Sequence, residues 1–115
     1  MKANLKALWS DHFLLDEFIP AENDNFSLWI ELSIGIQGDE GADYFRVQIC
    51  TPEWLCEHQW VPELMRHTLL VRKYDLDEIK KSITDYIDQC EGKDWIEIAE
   101  KLSRVFAWEY EDYQP

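Results

Sequence analysis

Three cysteines and three histidines are the side chains in this chain of 115 residues best suited to nucleophilic or metal chemistry. Cys50, Cys56 and His58 lie close enough in sequence to suggest a thiol activated by an imidazole, but no third residue is placed to orient the base. The runs around Cys50 and Cys56 are strongly apolar, so buried structural thiols are the expectation. Cys56, His58 and His67 could be grouped as metal ligands, yet their spacing matches no usual zinc pattern. Neither a metal nor another cofactor is expected. The 24 Asp and Glu residues offer many carboxylate pairs, but two acids hydrolyse a bond only where an apolar pocket raises the pKa of one. A small carboxylate-dependent hydrolase stays open as an alternative, and no pair is singled out for it. The four glycines form no phosphate-cradling loop. Without a basic stripe, no nucleic acid is expected as a partner.

Docking chemistry is better represented. Arg104-Val105-Phe106-Ala107-Trp108-Glu109-Tyr110-Glu111-Asp112-Tyr113 sets rings at 106, 108 and 110 against Ala107, Glu109 and Glu111. That is the period of a strand with one buried face, its other face carrying acid and tyrosine. Asp39-Glu40-Gly41-Ala42-Asp43 is a second acidic segment, read as the tip of a hairpin. Trp29 lies among polar neighbours and becomes a third candidate if its strand face is left uncovered. The residues expected to carry binding are therefore Trp29, Asp39, Glu40, Asp43, Glu109, Tyr110, Glu111, Asp112 and Tyr113, the acids for charge and the rings as anchors.

The charge pattern agrees. Of the formal net charge of -13, ten units fall in residues 1–45 and 105–115. If those segments meet in space, their surface repels nucleic acid and anionic membranes and attracts basic proteins. Acidity alone also serves solubility.

The elements that must position these residues follow from periodicity. Ala3 to Trp9 alternates and reads as a first strand. Phe26, Leu28, Ile30, Leu32 and Ile34 share one face of the clearest strand, and Phe45, Val47 and Ile49 face in from its hairpin partner. Thr51-Pro52-Glu53 starts a short helix reaching about His58. Thr68 to Arg72 reads as a further strand. Asp75 caps a long helix with Leu76, Ile79, Ile83, Tyr86, Ile87 and Cys90 on one stripe. Asp94 caps another, with Trp95, Ile98, Ala99 and Leu102 inward. The expected fold is α+β, a mostly antiparallel sheet with two helices of the C-terminal half packed on one face and a final β-strand. One domain spanning 1–115 fits the length. Most of the six tryptophans are expected in the core. An odd, scattered set of cysteines and the lack of a secretory or membrane-spanning segment point to the cytoplasm.

Two segments also resemble a known family. Gly41 through Phe45, Val47, Ile49, Cys50, Thr51, Pro52, Trp54 and Leu55 is similar to the "G-x-x-x-F-x-V-x-V-C-T-P-x-W-L" centre of the bacterial immunity protein 8 family. Trp95-Ile96-Glu97 through Leu102-Ser103-Arg104, then Trp108-Glu109-Tyr110-Glu111-Asp112-Tyr113, resembles its "W-x-E…L-x-R…W-E-F-E-D-Y" ending, with Tyr110 in place of Phe. The likeness covers about residues 26–113 and leaves residues 1–25 outside. It implies a non-enzymatic, cytoplasmic immunity protein of a polymorphic toxin or contact-dependent inhibition system. Its implied partner is the C-terminal domain of a cognate toxin, often a nuclease. The resemblance carries no catalytic residue to transfer, and Thr51, Pro52, Trp54 and Trp108 can serve the fold as well as the contact. The protein is expected as a monomer or small homodimer, and an adaptor pairing through an exposed sheet edge is the other alternative.

Overall fold

A computed structural model describes residues 1–112 of the chain. The chain runs β1 (Ala3–Trp9), β2 (Ser27–Ile36), β3 (Asp43–Cys50), α1 (Pro52–His58), β4 (Thr68–Leu70), α2 (Leu76–Gln89), α3 (Trp95–Leu102) and β5 (Ala107–Trp108). The fold is α+β. The sheet order is β1-β2-β3-β4, with β5 also paired to β3. Every pairing is antiparallel except that of β3 with β4.

The hairpin of β2 and β3 is the frame. Its arms pair from Ser27↔Cys50 to Ile34↔Asp43, and residues directly opposite share a face. The inner face holds Leu28, Ile30, Leu32 and Ile34 against Phe45, Val47 and Ile49, all buried. Ile79, Ile83 and Ile87 of α2 and Ile98, Ala99 and Leu102 of α3 join them in one cluster, so the two helices cover that face. The hairpin turns through Gly38 at φ 91°, a backbone region that side chains disfavour. Closer to the sheet, a β-carbon on Gly35 would stand 2.1 Å from the Gly41 carbonyl oxygen, so only glycine lets the returning chain cross there.

The expected caps form. Thr51 Oγ1 accepts from Trp54 N at 3.3 Å, Asp75 Oδ1 from Glu78 N at 3.2 Å and Asp94 Oδ1 from Glu97 N at 2.9 Å. Buried Thr51 also accepts from Phe26 N at 3.2 Å, tying α1 to the entry of β2. Residues 10–24 are pinned by a train of rings, Phe13, Phe18, Tyr74 and Phe26, with successive centroids 4.6, 5.1 and 5.3 Å apart.

Three expectations need correction. The final strand is two residues long. Phe106 N bonds back to Leu102 O at the end of α3, and Glu111 N to Trp108 O in a turn. Between them β5 meets only Phe45 and Arg46: β4, at Gln48 to Cys50 on the same edge of β3, limits it on the Phe106 side and the turn ends it on the other. Second, none of the six tryptophans is fully buried. Isoleucine, leucine and phenylalanine fill the inward positions, and the indoles sit at margins where an N–H can meet a polar partner. Third, Cys56 is exposed on α1, a helix with no buried residue, whereas Cys50 and Cys90 are buried thiols as expected.

Candidate functional site

The outer face of the sheet is uncovered among the described residues. Pleating turns Ser27, Trp29, Glu31 and Ser33 of β2 outward, together with Tyr44, Arg46 and Gln48 of β3. A register shift between Leu5 and Ala7 resets β1 so that Trp9 lies opposite Glu31 and joins this face. Trp29 is 37% and Tyr44 58% exposed. The Arg46 guanidinium lies 4.3 Å above the Trp29 ring, and its Nε stands 3.4 Å from Glu31 Oε1. Trp9 and Tyr44 meet edge to face at 6.0 Å and 86°. Trp9, Asp11, Glu31, Tyr44 and Arg46 line an open depression of about 310 Å³. Burial pushes the Glu31 carboxyl above the usual 4.5; nearby Arg46 pulls it down and Asp11 pushes it up again.

The hairpin tip and the C-terminal turn adjoin one end of this face. Asp39 and Glu40 are exposed at the tip, where Lys6 Nζ donates to the Asp39 carbonyl at 2.7 Å. Asp43 is differently placed. Its Oδ2 accepts both indole N–H groups of Trp95 and Trp108, at 2.8 and 2.9 Å. One carboxylate thus clasps α3 and β5 onto β3. Glu109 Oε1 accepts from Tyr44 N at 2.8 Å, continuing the β5 ladder with a side chain. Glu111 receives Arg66 at 3.2 and 3.3 Å and lies 3.5 Å from His67 Nε2. Tyr110 is half exposed and packs edge-on to Trp108 at 6.0 Å. Asp112 is exposed at φ 61°. Tyr113 lies outside the described residues.

The structure therefore places Asp39 and Glu40 at the hairpin tip, Glu109 beside Tyr44 near the start of β3 and Glu111 against Arg66 and His67, and leaves Trp29 farther along the open face. The carboxylates of Asp43, Glu109 and Glu111 have partners within the chain. Sequence reasoning missed Trp9, Tyr44 and Arg46 as companions of Trp29. Alternation in each strand gives the parity, but only the β1–β2 register shift tells which face Trp9 takes. It also left residues 60–65 unassigned. There Trp60 is 81% and Leu64 97% exposed, beside a depression of about 370 Å³ lined in part by Met65, Leu70 and Val105.

Cys56 and His58 lie on the exposed side of α1, where the His58 ring stacks on Trp54 at 4.4 Å. Among the described residues no group of three or more His, Cys, Asp or Glu is arranged to hold a metal, and no helix is long and apolar enough to cross a membrane. Glu31, the acid whose pKa burial raises, sits in an open depression on a sheet face rather than in a deep cleft. That geometry suits contact with a partner better than exclusion of water from a reacting bond.

Compared with known proteins, residues 3–113 match the family model described as "Immunity protein 8". The match takes in β1 and the connection after it as well as the two segments with the clearest motif. No curated protein sequence and no solved structure matches.

Proposed function

Because the chain belongs to the immunity protein 8 family, and so is an immunity protein against a toxin, we propose that it neutralises a basic toxin domain of the nuclease class through an acidic and aromatic surface. The observation that carries this reading is the open sheet face bearing Trp29, with the exposed acids Asp39 and Glu40 on the tip of the same β2–β3 hairpin. A nuclease holds its substrate with lysines and arginines aimed at phosphates. A surface that offers carboxylates to those same side chains competes for them. The net charge of -13 attracts such a domain from a distance, and attraction of this kind raises association rates by about 10- to 1,000-fold. Trp29 and Tyr110 then supply rigid contact area with little rotamer entropy to lose, which slows dissociation.

In this reading the protein acts in the cytoplasm of the producing cell, within a polymorphic or contact-dependent toxin system, and acts by binding rather than by catalysis. Asp39, Glu40 and Asp112 are the acids best placed to attract without disturbing the fold, since all three are exposed. The triple variant Asp39→Lys, Glu40→Lys, Asp112→Asn tests them. Asn is used at 112 because it tolerates the left-handed backbone there. Association with the toxin domain encoded beside this protein should slow by about tenfold or more and lose much of its salt dependence, with the melting temperature unchanged. An unaltered rate and salt slope would remove electrostatic attraction from the proposal. Failure of the unmodified protein to capture that domain would remove the proposal itself.

A further inference from the structure

The outer face holds one cation by a recognisable device and repeats that device next to it. The first copy is internal: Arg46 places its guanidinium 4.3 Å over the Trp29 ring and its Nε 3.4 Å from Glu31. An aromatic face and a carboxylate together satisfy both the charge and the flat surface of a guanidinium. The second copy is the corner made by Trp9 and Tyr44. Their rings stand at 86° with centroids 6.0 Å apart. The Trp9 indole N–H donates to Asp11 Oδ1 at 3.1 Å, which fixes a carboxylate at the rim of that corner. Glu31 contributes the second carboxylate of the same depression.

Charge decides what fits. Two carboxylates, Asp11 and Glu31, line the depression with one arginine, Arg46, so acids outnumber cations there. Its volume of about 310 Å³ has room for a cationic side-chain head beside Arg46. Tyr44 is 58% exposed, so its ring is available to a partner. We infer that the corner between Trp9 and Tyr44 receives a lysine or arginine side chain of the toxin, which stacks on the two rings and pairs with Asp11 and Glu31. This rests on the reading of the chain as a binder of a basic toxin, and it names the point where one toxin cation is held. The face then reads as two adjacent aromatic–carboxylate seats, one filled by Arg46 and one kept for the partner.

The experiment uses the full chain labelled with ¹⁵N, in which each indole N–H gives its own NMR signal. The probes are the blocked tripeptides acetyl-Gly-Arg-Gly-amide and acetyl-Gly-Lys-Gly-amide, and the control carries neutral citrulline in the central position. A saturable displacement of the Trp9 indole signal in the millimolar range by the charged peptides is expected, with little response to citrulline. In Tyr44→Ala and, separately, in Glu31→Gln, apparent affinity should fall by about fivefold. Neither change touches the helix-covered face, and dispersed spectra of both variants would show them folded. No saturable response at Trp9, an equal response to citrulline, or undiminished binding in both variants would overturn the inference. Toxin capture separates its failure from that of the parent reading. If Tyr44→Ala leaves toxin affinity unchanged while the Asp39, Glu40, Asp112 variant weakens it, the corner is not the seat and the basic-toxin reading stands. If the peptides bind as expected but no toxin is captured, the seat stands as a cation site and the toxin assignment fails.

Discussion

The two faces of the β2–β3 hairpin are built from alternate residues of the same two strands, yet they obey different rules. Inward, Ile30, Leu32, Ile34 and Ile49 are fully buried against α2 and α3. Outward, Trp29 and Arg46 make a ring–cation contact, Arg46 and half-buried Glu31 a 3.4 Å ion pair, and Trp9 and Tyr44 an edge-on ring pair, with Trp29, Tyr44 and Arg46 open to water. The inner face gains from removing apolar area from water, and so tolerates little change of shape. The outer face gains little stability from its polar contacts, since exposed ion pairs are worth about 0–1 kcal/mol. Because the faces lie one residue out of phase, outward side chains can vary without loosening the core. Parity along a strand separates a packed face from an open one.

Substitutions at three positions test that separation, beginning with the largest effect. Leu32→Ala removes a fully buried side chain from the inner face and should cost about 2–5 kcal/mol, read as a lower midpoint in urea unfolding with an unchanged slope. A loss under about 1 kcal/mol would mean that the inner face is not close-packed there. Asp43→Ala lies at the margin between the faces and orphans two indole N–H donors. It should cost about 2 kcal/mol, and Asp43→Asn, which keeps an acceptor oxygen, distinctly less. Equal losses in the two would show that charge rather than hydrogen bonding holds the clasp. On the outer face, Glu31→Gln should change stability by no more than about 1 kcal/mol, with a direction set by pH. The folded state binds the Glu31 proton more tightly than the unfolded chain does, so ionisation of Glu31 penalises folding. The variant should therefore match or exceed the parent at pH 7, and that margin should shrink as pH falls through the raised value and vanish below the usual 4.5. Thermal melts across this range check the sign, and a margin that grew on acidification would contradict it.

The frame of this protein was legible because its periodicities are clean. Phe26 to Ile34 and Phe45 to Ile49 alternate strictly, and Asp75 and Asp94 stand at the cap positions that their helices use. The shortened β5 was not legible, since Phe106, Trp108 and Tyr110 alternate as a longer strand would. β4 on the same edge of β3 limits the strand on its Phe106 side and the turn from Trp108 to Glu111 ends it on the other, neither of which the alternation of rings reveals. The tryptophans misled for a related reason. Area alone argues for burial, whereas Trp95 and Trp108 are drawn to the margin by the one carboxylate that both indoles reach. Of the candidate site, the acids at 39 and 40 and the outward parity of Trp29 could be read from pattern, whereas the openness of its face could not. The partnership of Trp9 with Tyr44 could not, because those residues lie on β1 and β3 and meet across β2.

The Asp43 clasp also sets a timetable. Its two bonds close over 52 and 65 residues of sequence, so a nascent chain exposes the edge of β3 well before the segment that covers it exists. At about 5–20 residues per second, synthesis needs on the order of ten seconds to bridge that gap. During that interval the edge offers unpaired N–H and C=O groups to any neighbouring strand, another nascent copy included. Arrival of Trp108 is therefore a maturation step. It covers Phe45 and Arg46 on the stretch of edge that β4 leaves open.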